Sequence, residues 1–202
     1  GKNFNIYAFE PSFLYERLNK KYADDNTKVL KKAISDKSGK QIFYQHASAT
    51  GSSGLEKIML SSAFARRRQI VSVKDIEAVE TETVSLDQFC GSTGVDSIHH
   101  LKIDVQGHES SVLAGAKDLL SKQKIDIIEV ELIIGQAYEG QHSFFDIERH
   151  LISNRYRLVA LSPDGRFYNL EPHDIMLNPE LQFDLIYCSE KFYKNIICKS
   201  GH

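Results

Sequence analysis

The sequence predicts an α/β fold, and two observations carry that reading. The first is the run Leu101-Lys102-Ile103-Asp104-Val105-Gln106-Gly107-His108-Glu109, where an apolar segment ends in a carboxylate, turns at a glycine and opens into a helix. Asp104 is thereby delivered to the carboxyl end of a buried strand, the edge at which open α/β sheets bind ligands. The second is the strand, helix and strand found within some thirty residues: Val112, Leu113, Ala116, Leu119 and Leu120 recur on one helical face between Glu109 and about Lys122, and the apolar run 125–132 follows. Together they form a βαβ unit with a right-handed crossover.

The remaining elements alternate around that unit. Residues 4–9 read as a strand ending at Glu10 and Pro11, after which Ser12 can cap a helix with Leu14, Leu18 and Tyr22 on one face. Residues 28–34 read as a strand, and 36–39 as a turn into a strand at 41–44, so that the two form a hairpin. Residues 47–54 are small and polar, hence a loop. The stretch 55–80 is ambiguous, with a weak helix at 55–64 and a strand at 69–73. Residues 81–86 read as a strand, with Asp87 capping a short helical turn. Beyond Glu131 the pattern gives a loop at 135–142, an amphipathic helix at 144–153, a hairpin of 157–162 with 166–170 around Pro163-Asp164-Gly165, and a last strand at 183–188.

Composition bounds the function. With 202 residues, 42% of them hydrophobic, and a formal net charge of -2, the chain reads as a single domain over 1–202 with one core. The charge does not point to nucleic acid. Cys90, Cys188 and Cys198 are odd in number and lack CxxC spacing, so they indicate neither a disulfide framework nor a zinc site, and a reducing, cytoplasmic setting is expected. No apolar run reaches the ~18 residues of a membrane span, and the start does not read as a signal peptide. No internal repeat is visible. His108-Glu109-Ser110-Ser111-Val112 fails the HExxH zinc pattern at its fifth residue, and Gly51-Ser52-Ser53-Gly54 lacks the flanking strand and helix of a phosphate loop. Arg66-Arg67-Arg68 reads as a solvated face. His99-His100 precedes the Asp104 strand on the side away from the expected site.

Ala8-Phe9-Glu10-Pro11, residues 33–39 (Ala-Ile-Ser-Asp-Lys-Ser-Gly), Val84-Ser85-Leu86-Asp87 and residues 101–109, in that order and spacing, resemble the motifs of FkbM-type methyltransferases. Glu131, Tyr138-Glu139-Gly140-Gln141 and Asp184 are similar to the C-terminal part of one subgroup. The resemblance covers roughly residues 4–190. It implies a Rossmann-like class I methyltransferase sheet, mostly parallel with a C-terminal antiparallel hairpin. It also implies S-adenosylmethionine as cofactor and O-methylation of a hydroxyl on a natural product or sugar. The partners to expect are a small-molecule hydroxyl acceptor and, in an assembly, further copies as a homo-oligomer.

The resemblance assigns residues as follows. Glu10, followed by Pro11, would accept the ribose hydroxyls of the cofactor; Ser35 and Asp36 would lie by the adenine. Asp104 would meet the methionine part, orient the acceptor or, as the least favoured role, help bind a divalent ion. Methyl transfer asks mainly for alignment and water exclusion, with a base needed only for a poorly acidic hydroxyl. Asp104, His108 and Glu109 are the candidates for that base, and the sequence does not choose among them. Glu131 would contact the acceptor; Tyr138 and His142, read from their place in the loop after the second buried strand, would overhang it. Gln106 replaces the acidic residue common at its position in the family. No metal ligand set is expected.

One departure is large. A complete member has a first βα unit, with a glycine-rich loop of the type Asp-x-Gly-Ala-Asn-x-Gly, before the Phe-Glu-Pro motif; here Glu10 has nine residues before it. That strand belongs in mid-sheet, between the strands ending at Glu10 and Asp104. The expectation is an N-terminal βα unit missing from 1–202, a gap between those strands that must close or be filled, and weak cofactor binding by residues 1–202. The rival reading is a non-catalytic interaction or scaffold domain that kept the fold and lost the cofactor; a nucleotide-binding oxidoreductase ranks behind both.

Overall fold

The structure, a computed structural model, describes residues 4–70, 72–163 and 181–200. In chain order the elements are β1 (Ile6–Phe9), α1 (Tyr15–Tyr22), β2 (Thr27–Leu30), β3 (Ala33–Ile34), β4 (Gly39–Gln45), α2 (Ala63–Arg67), β5 (Glu77–Val84), α3 (Leu86–Thr93) and β6 (Ile98–Ile103). They continue with α4 (Glu109–Ala114), α5 (Lys117–Ser121), β7 (Ile125–Ile134), α6 (Phe144–Ser153), β8 (Tyr156–Pro163), β9 (Leu181–Ser189) and α7 (Glu190–Ser200).

The strands form three hydrogen-bonded groups. β1 pairs with β2 in parallel; β3, β5 and β4 lie side by side, parallel then antiparallel; β6, β7, β9 and β8 form the largest sheet. Within it β6 and β7 are parallel, as the βαβ unit requires, while β9 runs antiparallel to both β7 and β8. The β7 strand alternates little because it is covered on both faces, with Ile125, Ile128 and Val130 fully buried. The helices between strands pack their apolar stripe onto this sheet. Val112, Leu113, Leu119 and Leu120 from α4 and α5, and Ile147 and Leu151 from α6, join β6, β7 and β9 in one core cluster. A smaller cluster gathers Ile58, Phe64, Ala65, Ile70, Ile133, Ala137 and Tyr138 beneath the loop that follows β7.

Local chemistry sets the helix ends. Ser143 and Asp146 form a reciprocal capping box at the start of α6. α3 is capped by Ser85, whose Oγ accepts the Gln88 N–H, and stops at Gly94, at φ 72°. Asp87, expected to cap this turn, instead accepts the backbone N–H groups of Asp118 and Leu119 and caps α5 from across the fold. Ser12 accepts the Leu14 N–H one turn before α1.

Several sequence expectations are corrected. Residues 28–34 are not one strand: they split into β2 and β3, which belong to different sheets, and β5 inserts between β3 and β4 where a hairpin was expected. The strand expected at 69–73 is absent; Gln69 turns at φ 58° and a 3-10 turn spans Val73–Asp75. The helix expected at 55–64 starts only at Ala63, after Ser62 caps it. The single helix expected from 109 to 122 breaks at Gly115, where a side chain has no room: a Cβ there would lie 2.1 Å from the Ser35 carbonyl oxygen. For the hairpin of 157–162 with 166–170, the second arm lies outside the described residues. β8 pairs with β9.

The β1–β2 pair and β6 do not hydrogen-bond to each other. Between them runs a slot of about 1300 Å³, lined by residues 4–11 on one side and 95–106 on the other. Phe4 meets His99 edge-on at 5.6 Å between ring centres, so the strands begin together and their carboxyl ends, at Glu10 and Asp104, open into the same slot. No helix among the described residues is long and apolar enough to cross a membrane.

Candidate functional site

The strand end of β6, β7 and the loop after it bring three of the expected residues, Asp104, Glu131 and Tyr138, together around Gln106. Asp104, exposed in the wall of the slot, follows the last residue of β6. Gln106 and Gly107 then take left-handed backbone conformations, φ 56° and 95°. This double turn folds the Gln106 side chain back under the strand end. Its Nε2 donates to Asp104 Oδ1 at 2.7 Å and to Glu131 Oε2, on β7, at 2.9 Å. Its Oε1 accepts the Tyr138 hydroxyl at 2.7 Å.

Charge is concentrated here. Burial pushes the Glu131 carboxyl up, and the negative charge of Asp104, a hydrogen bond to it, and the charges of Glu109 and Asp184 push it further, to about 8. Glu109 is also pushed up, by burial first, although it accepts the Gly107 N–H at 2.9 Å in the helix start. Burial raises the Tyr138 phenol well above its usual range. On the outer side Lys102 binds Glu129 at 2.7 Å and Asp184 at 3.4 Å, and His100 also bonds Glu129.

The three candidates for a base therefore differ. Asp104 is exposed to the slot. Glu109 is buried and engaged with the backbone of its own turn. His108 is buried, with Nδ1 bonded to Glu56 at 2.8 Å and Nε2 to Ser35 Oγ at 2.9 Å. Its pairing holds Glu56 below the usual carboxylate range.

Glu10 and Pro11 line the slot at the end of β1, and Glu10 Oε1 accepts the Ser12 N–H at 2.9 Å. Ser35 is fully buried, bonded to Asp36, Gln41 and His108, while Asp36 is exposed beyond the slot lining; the neighbours that do line it are Ala33 and Ile34. Tyr138 has no exposed surface and packs in the smaller cluster against Phe64, so it supports Gln106 from below. His142 stands 6.1 Å from His108, ring to ring, and its N–H bonds the Gly107 carbonyl. Sequence reading missed Gln106 as a connector and Glu56 as the partner of His108. The first had a signal, a polar residue in a strand-end turn; the second, fifty-two positions away, had none. Among the described residues no group of three or more His, Cys, Asp or Glu side chains could hold a metal ion.

The description of the methyltransferase FkbM domain matches residues 1–158. The chain is 32% identical over 145 residues to the 2-O-methyltransferase NoeI of Sinorhizobium fredii (strain NBRC 101917 / NGR234). That match covers 70% of this chain and 57% of NoeI, so the chain spans little more than half the length of this curated relative. No solved structure matches the chain.

Proposed function

From the premise that this chain belongs to the methyltransferase FkbM domain family, we propose that it transfers a methyl group from S-adenosylmethionine to a hydroxyl oxygen of a sugar or other small natural product. The observation that carries the reading is the slot flanked by two strand-end carboxylates, Glu10 and Asp104. Its volume exceeds the ~300–1,000 Å³ of ordinary small-molecule pockets.

The residues present fit one half of the cofactor. Glu10 stands at the strand end where a ribose diol would be accepted, and Ala33 and Ile34 offer an apolar wall beside it. Ser35 and Asp36, the residues assigned to the adenine by resemblance, would act through this wall: Ser35 is tied to His108 and keeps the end of β3 in place. The open slot between β1 and β6 further supports a Rossmann-like sheet completed by one more parallel strand, which would carry the glycine-rich turn for the methionine end.

When bound, S-adenosylmethionine supplies a methyl already activated on a sulfonium, so the chain's own task is alignment. Asp104 would orient the acceptor hydroxyl and take its proton; it lines the slot, whereas His108 and Glu109 do not. Glu131 and His142 lie outside the slot lining, and Glu131 would meet the acceptor through the pair it makes with Asp104. Buried Tyr138 would contribute by holding Gln106.

Calorimetry with S-adenosylmethionine on the native protein, paired with a methyl-transfer assay, tests the reading. Binding that is lost or weakened in Glu10→Ala, with turnover that falls more than thermal stability does in Asp104→Asn, is expected. No binding by the native protein, or full turnover by the Asn variant, overturns it.

A further inference from the structure

Gln106 adopts a left-handed backbone, unfavourable for a residue other than glycine, at φ 56° while 6% exposed. A buried carboxamide must also satisfy its donors and its acceptor. Here it does so entirely with site residues, at 2.7 Å to Asp104, 2.9 Å to Glu131 and 2.7 Å from the Tyr138 hydroxyl.

The chemistry fixes which end points where. Carboxyl oxygens accept, so both amide hydrogens face Asp104 and Glu131 and the amide oxygen accepts from the Tyr138 hydroxyl, which also has the Ser52 carbonyl at 3.3 Å. The flipped amide would set its carbonyl against two carboxyl oxygens and lose both donor contacts.

We propose that Gln106 is a positioning residue, a clamp oriented by Tyr138 that holds the Asp104 and Glu131 side chains together as one pair at the mouth of the slot. Asp104 would otherwise be free to swing into the slot, where it is exposed. The clamp keeps Asp104 against Glu131, and that proximity raises the Glu131 carboxyl. The charged and titratable groups around Glu131 are Asp104 and, outward, Lys102 from β6, Glu109 from α4, Asp184 from β9 and Tyr138 from the loop after β7. After burial, the charge of Asp104 and its hydrogen bond are the leading causes that push the Glu131 carboxyl up. An ordinary turn residue at 106 would leave both untouched. Gln106→Glu would place a further acid among three, without the two N–H donors. The catalytic use of the pair rests on the proposed methyl transfer, whereas the clamp itself does not.

The test is a carbon-13 carboxyl NMR titration of the 202-residue chain, labelled at Asp and Glu, without any cofactor. One Glu resonance titrating well above the normal carboxylate range is expected, and its disappearance in Glu131→Gln assigns it. Asp104→Asn should lower the Glu131 midpoint by at least about one pH unit, a tenfold change in proton affinity, because the charge held beside Glu131 is gone. In a Gln106→Leu background, where Asp104 is released, the same Asp104→Asn substitution should lower the midpoint much less; comparing the two backgrounds cancels the loss of the amide donor, which by itself raises the midpoint. Gln106→Gly relieves the left-handed backbone, keeps the fold if Leu does not, and should give the same reduced response. Tyr138→Phe, which frees the amide to turn, should give an intermediate one. An Asp104→Asn response of full size in both Gln106 backgrounds overturns the clamp, as does the lack of any carboxyl titrating above about pH 6 in the native sequence. Because no cofactor takes part, failure here leaves the proposed activity standing, and failure of the activity leaves the clamp standing.

Discussion

The two walls of the slot are built differently. On the β6 side, β7 is buried or half-buried at nine of its ten positions and is paired on both edges, while Gln106, Tyr138, Glu131 and Asp104 form a connected polar network beneath the strand ends. On the β1 side, β1 has one neighbour, none of its residues is buried, and neither is any residue of α1. What attaches that wall to the core is chiefly Phe89, on which Tyr7 and Phe9 stack edge to face at 5.2 and 5.0 Å. The difference teaches that a strand's outer pairing does not secure it. β2 supplies β1 with hydrogen bonds, but burial requires a neighbour across the slot, and the free inner edge leaves backbone groups to water.

Substituting Phe89 should break the comparison most visibly. Phe89→Ala removes a buried ring and is expected to cost about 3–5 kcal/mol by urea denaturation. Amide exchange should show the loss first in β1 and β2, with β7 still protected. Equal loss of protection in β1 and β7 would mean that both walls unfold as one unit.

The next effect belongs to the β6 wall. Glu131 has its carboxyl raised in the folded chain, so between the ordinary carboxylate range and about pH 8 the native state holds a proton that the unfolded state has lost. The contribution is therefore fully present below the ordinary range and is lost as pH rises to about 8. Melting temperature should drop on the order of 5 °C between about pH 5 and about pH 9, and Glu131→Gln should remove most of that drop. A drop unchanged by the substitution would place its origin elsewhere.

Glu10 sharpens the comparison from the other wall. Charged hydrogen bonds contribute roughly 1.5–3 kcal/mol each, so Glu10→Ala should weaken S-adenosylmethionine binding to the native protein about tenfold or more while leaving the melting temperature nearly unchanged. A melting temperature that fell with the affinity would make Glu10 a structural cap, through its bond to the Ser12 N–H.

The smallest effect is expected at Phe145, on α6 and 74% exposed. Phe145→Ser should change stability by no more than about 0.5 kcal/mol, because a large apolar residue stabilises only through the surface it buries. A larger change, read by the same denaturation curves, would show that this face of α6 is covered in solution.

The sequence by itself determined the elements whose signals are local. The β6, α4–α5 and β7 unit follows from apolar periodicity over consecutive residues, the α6 start from Ser143 and Asp146, and the delivery of Asp104 to a strand end from the order of strand, carboxylate and glycine. Motif order likewise sufficed for the family. Tertiary structure alone decided the rest. It set β5 between β3 and β4, because a strand's neighbour depends on pairing partners some forty residues away. It sent Asp87 to cap α5 and divided the expected 109–122 helix at Gly115, where the Ser35 carbonyl leaves no space for a side chain. It buried Tyr138 and Ser35, both expected at a binding surface, and tied His108 to Glu56 and Ser35. Residue type fixes what a side chain can do chemically, but which groups face the slot and which brace it depends on long-range packing, and no local pattern encodes that.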